Sequence, residues 1–251
     1  MLSYYRLLKS VLVLASTTPL AVLFTTALGL YNDGFYRPVP AGVMVSSGDY
    51  YATTSYVVED TSTGKRYLLV VYHLFEANSS LDAYQPTPYS DYYYIGSAIR
   101  ASTYADGALV EANKELAVKW DPRVRLPDGS YVVLADKAPY YGLQDYVGDT
   151  VYLVGVTTGY SWGVIRYYRE PLKYIDSSTN ITREIRFVVF LHDCITSGGD
   201  SGAPVWIPSW SGNKLVGHVI GCWEYADLNR TVIVSVTSVE SYLLVEPVLG
   251  G

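Results

Sequence analysis

Three histidines, two cysteines and two methionines are all that the 251 residues hold of those types, and charged residues make up only 17% of the chain. So small a stock leaves little from which to build a metal centre. His192, Asp193 and Cys194 are consecutive, and three adjacent residues do not converge on one ion even when Cys222 is added. Clustered Lys and Arg are also missing: the formal net charge is −6, no basic stripe runs along the chain, and nucleic acid is therefore excluded as a partner, since neutralising phosphates needs grouped cations. Long segments with a 3.6-residue apolar period are absent as well, which excludes a helical bundle. No internal repeat and no low-complexity tract appears.

What is abundant points to strands and turns. Tyrosine occurs 26 times and glycine 21 times. Tyrosine, valine and threonine suit a pleated, half-buried surface. About a dozen short strand-like runs are bounded by turn signals such as Thr63-Gly64, Asp128-Gly129 and Gly212-Asn213. The expected class is all-β, with a short C-terminal helix near Ser238 to Leu244.

One stretch carries chemistry. Gly198-Gly199-Asp200-Ser201-Gly202-Ala203-Pro204-Val205 sets a serine in a glycine-rich turn ahead of an apolar strand. An acyl-transfer nucleophile needs an exposed hydroxyl and backbone N–H groups aimed at the oxyanion that develops beside it. Glycines flanking Ser201 permit that backbone, and the Gly199 and Ser201 amides are the natural donors of an oxyanion hole. A serine hydroxyl also needs a base, and the base needs a carboxylate to fix its tautomer. Of the three histidines, His73 ends the strand-like run Arg66 to Tyr72 and opens a polar loop, whereas His192 and His218 lie within apolar segments and read as structural. Asp106 precedes the short apolar run Gly107 to Val110 and is the candidate orienting carboxylate.

His73, Asp106 and Ser201 stand in the order, 33 and 95 residues apart, of the double-barrel serine peptidases. With Thr53 to Tyr67, similar to the hairpin before the catalytic histidine, and Val147 to Gly159, similar to a segment of the second barrel, the chain resembles the trypsin-like (chymotrypsin-fold) serine peptidases. The resemblance covers about residues 41 to 245 and is nearest to bacterial-type members without a zymogen N-terminus. It implies two six-stranded antiparallel β-barrels, the first over 41–112 with His73 and Asp106, a linker over 113–129, and the second over 130–245 with Ser201. It implies no cofactor and no metal, and a peptide or protein substrate.

Departures from the family pattern are specific. Ala203 stands where a second glycine is usual, and Ile220 where a serine often hydrogen-bonds near the catalytic carboxylate. No Ile-Val-Gly-Gly-like stretch supplies a buried amino terminus, so Asp200 needs another partner. Counting back from Ser201 puts the base of the substrate pocket at Ile195, with Ile220 and Gly221 on its wall; no carboxylate is there to select Lys or Arg. In this fold Cys194 and Cys222 would sit on facing pocket walls, where a disulfide would stiffen and narrow the site; the alternative is two buried thiols.

Arg6 and Lys9 precede an uncharged run from Ser10 to Asn32, which is either a signal peptide, with small residues Ala27 and Gly29 before a cleavage point, or a membrane anchor. The basic flank keeps the N-terminus inside and the barrels outside, with membrane contact through residues 10–32 if the segment is retained. Asn78, Asn180 and Asn229 begin glycosylation sequons consistent with that compartment. The expected activity is that of a secreted or membrane-anchored serine endopeptidase. The alternative is a non-catalytic surface binding or structural protein on the same barrels.

Overall fold

The computed structural model describes residues 30–76, 80–176, 181–225 and 228–250. Residues 1–29, with most of the signal or anchor segment, and the sequon asparagines Asn78 and Asn180 lie outside them. Among the described residues no helix is long and apolar enough to cross a membrane.

Strands dominate. The N-terminal half holds β1 (Val39–Ala41), β2 (Met44–Ser47), β3 (Tyr50–Thr53), β4 (Val57–Asp60) and β5 (Arg66–Val71). After a short helix α1 (His73–Glu76) come β6 (Asp82–Tyr84), β7 (Tyr94–Ser102) and β8 (Gly107–Ala112). The stretch expected to cross between barrels carries β9 (Trp120–Arg125), which runs parallel to β1 and antiparallel to β10 (Tyr131–Val132). The C-terminal half holds β11 (Leu134–Lys137), β12 (Thr150–Gly155), β13 (Gly159–Arg169), β14 (Leu172–Asp176), β15 (Ile181–Ile185) and β16 (Val188–Leu191). It continues through β17 (Pro204–Ile207), β18 (Asn213–Tyr225), β19 (Leu228–Ser235), helix α2 (Val236–Leu243) and β20 (Val245–Pro247).

The second sheet runs β11-β18-β17-β12-β13-β16-β19, and an additional β18–β19 pairing closes six of these strands into a barrel. The first runs β20-β4-β5-β8-β7-β6-β2-β3. Its ends meet in one bent segment. Thr54 donates its N–H to Val43 and Ser55 donates to Leu69, so residues 50–60 pair with β2 at one end and with β5 at the other. The bend lets a single strand serve both edges, and no hydrogen-bonding edge is left open there. The C-terminal strand β20 adds to β4, bringing the end of the chain back to the first barrel.

Each barrel has its own apolar core, and a third cluster forms the seam between them. Tyr56, Val58, Leu69 and Leu109 of the first barrel pack with Val154, Trp206 and Leu215 of the second and with Val236, Val239 and Leu243 of α2. Alternation along β5 explains the division: Leu69 faces the seam while Leu68 and Val70 face the first-barrel core. The helix found at Val236–Leu243 begins two residues before the expected start, because Val236 belongs to the seam. Since Leu109 is fully buried in that seam, Leu109→Ala should destabilise the protein by about 2–5 kcal/mol. Chemical denaturation checks this, and a loss below about 1 kcal/mol would mean the seam closes over the cavity or contributes little.

Candidate active site

The turn before β17 is fixed by a buried carboxylate. Asp200 is fully buried; its Oδ1 accepts the N–H groups of Thr157 at 2.8 Å and Thr158 at 3.1 Å, and its Oδ2 accepts that of Ser197 at 2.8 Å. These backbone donors are the partner that the missing buried amino terminus left open. A Cβ at Gly155 would come within 2.1 Å of Oδ1, so only glycine leaves room for the carboxylate. Gly202 has φ +91°, and a Cβ there would meet the Thr53 carbonyl oxygen at 2.0 Å.

The carbonyls of the turn are all engaged. Thr157 Oγ1 donates to the Gly198 carbonyl at 2.7 Å, Thr53 Oγ1 to that of Gly199 at 2.9 Å, and Thr53 N–H to that of Ser201 at 2.8 Å. Among the described residues, the Gly199 and Ser201 amides donate to no protein acceptor. Ala203 is buried and donates its N–H to the Asp200 carbonyl, so the methyl in place of a second glycine is accommodated. The Ser201 hydroxyl donates to the Ile220 carbonyl at 3.2 Å.

On the first barrel, β5 and β8 pair with Val71 opposite Gly107, a register that sets the residues following β5 beside those preceding β8. His73 opens α1 at the end of β5, and Asp106 takes a left-handed backbone, φ +39°, just before β8. One carboxylate oxygen accepts the His73 N–H at 3.1 Å, and the other lies 2.7 Å from Nδ1 of the ring. Tyr72 N–H holds the Asp106 carbonyl at 3.1 Å. The Asp106 side chain is 10% exposed and that of His73 42%. With Nδ1–H directed at the carboxylate, Nε2 is the proton-accepting nitrogen. Burial opposes a charged imidazole at His73, but the charge and hydrogen bond of Asp106 outweigh it and hold its pKa above the ordinary histidine value. The structure thus joins His73 to Asp106, while the recorded partner of the Ser201 hydroxyl is a backbone carbonyl and not the ring.

The other two histidines divide. His218, on β18 opposite Pro204 and Val234, is fully buried, with the backbones of Ala105 and Asp106 beside its ring. Burial pushes its pKa down to about 4 against the opposing charge of Asp106. His192 is exposed, with Nδ1 3.2 Å from Asp193 Oδ1, because β16 ends at Leu191 and the chain then turns outward. That differs from the structural role read for it in an apolar segment.

Cys194 and Cys222 form a disulfide with Cα atoms 5.5 Å apart, which also removes both sulfurs from any metal reading. Beside it Thr196 Oγ1 lies 3.2 Å from Cys222 Sγ and 3.4 Å from Thr231 Oγ1, and Ile195 N–H donates to Thr231 Oγ1 at 2.9 Å. The side chain of Ile195 packs on the second-barrel core, and that of Ile220 packs with Phe190 and Val232. Gly221 is half-buried next to the disulfide. Sequence reasoning missed Thr196 and Thr231, whose buried hydroxyls tie the Ile195 backbone to the strand opposite Cys222.

No protein-family model and no curated protein sequence matches the chain. Solved structures do match in fold. A glutamic-acid-specific serine protease superposes with a TM-score of 0.65 at 19% identity, covering 84% of this chain and 100% of that one. The chymotrypsin of Cellulomonas bogoriensis gives 0.61 at 17% identity over 86% and 100%, and protease A of Thermobifida fusca gives 0.58 at 16% over 86% and 100%. The architecture is therefore the double β-barrel of bacterial chymotrypsin-like serine proteases.

Proposed function

We propose that the protein is a serine endopeptidase, secreted or held at the membrane by its N-terminal segment, that hydrolyses peptide bonds through an acyl-enzyme. The observation that carries this reading is the pairing of His73 Nδ1 with Asp106 at 2.7 Å, on the barrel facing a serine turn whose two amides are unclaimed. In this reading the Ser201 hydroxyl leaves the Ile220 carbonyl, gives its proton to His73 Nε2, and attacks the scissile carbonyl carbon. The Gly199 and Ser201 amides hold the oxyanion. The imidazolium returns the proton to the departing amine, and water then repeats the sequence to release the acyl group. Asp106 keeps the ring in the right tautomer and stabilises its charge. No carboxylate stands at Ile195, the expected base of the substrate pocket, which disfavours Lys and Arg at the scissile residue. An extracellular site accords with the disulfide and with the exposed Asn229 of the third sequon.

A second reading, a non-catalytic barrel protein, draws on the Ser201 hydroxyl bonded to a carbonyl and on the missing hydroxyl at Ile220. Labelling with a fluorophosphonate separates the two: the parent should be modified at Ser201 and Ser201→Ala should not. An unlabelled parent, folded and disulfide-bonded, supports the second reading.

If the triad acts as a unit, Ser201→Ala and His73→Ala should each lower kcat/KM by roughly 10⁴–10⁶, and the double variant should lose little more. Retained thermal stability in both variants keeps the loss chemical. Hydrolysis by Ser201→Ala at the parental rate sinks the assignment.

The raised pKa of His73 sets the pH profile. Only neutral imidazole accepts a proton, so the rate should climb with pH through a midpoint above the ordinary value of about 6.5. Stability runs in the opposite sense: the His73–Asp106 interaction contributes fully below the unfolded histidine pKa and is lost as pH rises through the higher folded one. A rate midpoint below about 6 would contradict the pairing.

Reducing the bond between Cys194 and Cys222, which closes a loop of 28 residues' separation, should cost about 3–4 kcal/mol of stability. Selectivity among small and large side chains at the scissile residue should loosen before catalysis is lost. Unchanged selectivity after verified reduction would show that the disulfide does not bound the pocket.

A further inference from the structure

Strands β14 and β15 form a two-stranded ribbon outside both barrel sheets, with Leu172 opposite Ile185 at its root. Leu172 and Ile185 are buried against Phe190, Ile220 and Val232, so the root rests on the residue whose carbonyl holds the Ser201 hydroxyl. From this root the second barrel reaches across to the first at two points. Arg186 N–H donates to the Tyr104 carbonyl at 2.9 Å, two residues before Asp106. Arg183 Nη1 meets Glu76 Oε1 at 2.7 Å, three residues after His73 on α1, a spacing that puts Glu76 on the same helical face as His73. The two side chains of that pair are only 15% and 24% exposed. Glu76 is itself an exposed residue, and the pair spans 107 positions of sequence, so it links one barrel to the other rather than one element to itself.

We propose that the β14–β15 ribbon is a clasp between the two loops that carry His73 and Asp106, with Arg183 and Glu76 as positioning residues that set the orientation and charge balance of His73. Its catalytic consequence rests on the peptidase reading; the clasp itself does not. The charged and titratable groups around the ring are Asp106, Glu76, Arg183 and the buried His218. Glu76 favours the imidazolium and Arg183 opposes it, so in the intact pair the two effects offset one another.

The test is an NMR titration of the His73 ring in the full chain, with fluorophosphonate labelling of the same samples. Glu76→Gln should shift the His73 midpoint down, Arg183→Gln should shift it up, and the double variant should return towards the parent. Arg183→Lys, which keeps the charge but not the planar fork, should hold the parental direction. A merely structural bridge would lower thermal stability equally in both single variants without opposite shifts. Shifts of the same sign, or none in either, overturn the proposal. Each single variant carries its own sign, so any one that folds decides. Opposite shifts in an unlabelled parent would retain the clasp and refute the peptidase, and a labelled parent with an unmoved ring would do the reverse.

Discussion

The buried carboxylate of Asp200 is the constraint on which the site depends. A charge with no exposure must have its oxygens satisfied, and here three backbone amides do so, two from the turn between β12 and β13 and one from the serine turn itself. An unpaired carboxylate at that depth would cost several kcal/mol, so the turn cannot relax without releasing Asp200. Thr53 extends the lock to the first barrel. Its hydroxyl accepts the Val156 N–H and donates to the Gly199 carbonyl, while its own N–H holds the Ser201 carbonyl. With the carbonyls engaged, the Gly199 and Ser201 amides are left without a protein acceptor, and under the proposed function that preorganisation costs nothing at the moment of reaction.

Ser201 stands on one barrel and the His73–Asp106 pair on the other, so the proposed chemistry depends on the seam. The apolar contacts of Leu69, Leu109, Val154 and Trp206 hold together two barrels that no local sequence relation connects, and under the proposed function they set the distance from nucleophile to base. Effects of this kind are steep: displacement by about 1 Å can lower a rate 10²-fold. Helix α2 and β20 reinforce the same seam from the C-terminus, with Arg100 bonded to the Leu243 carbonyl at 2.6 Å and to Asp60. The end of the chain thereby braces the first barrel from outside.

What was legible in the sequence was local or ordered along the chain. The glycine turn around Ser201 announces its backbone, and the sequence order of His73, Asp106 and Ser201 fits one fold. The structure places His73 Nδ1 2.7 Å from Asp106. The partners of Asp200 were illegible because backbone amides have no residue signature. The facing of strand side chains near the disulfide was illegible for another reason. Which face a strand residue presents depends on register, and β18 shifts register between Val219 and Gly221, so counting along the chain does not tell which side chains face the disulfide. The bent strand closing the first barrel and the β14–β15 ribbon share this character: each is defined by long-range pairing, and neither has a motif.

The departure at Ile220 changes how Asp106 is satisfied. Without a side-chain hydroxyl from that position, the carboxylate still has the backbone N–H and ring of His73, one on each oxygen. His218 is fully buried and near enough to feel the charge of Asp106, yet burial holds its pKa down to about 4. A protonated His218 would compete for the carboxylate and lower the basicity that Asp106 confers on His73. Desolvation prevents that across the range in which His73 titrates. The negative charge of Asp106 therefore reaches both imidazoles, but where His73 titrates only His73 gains a proton from it, because burial keeps His218 neutral there.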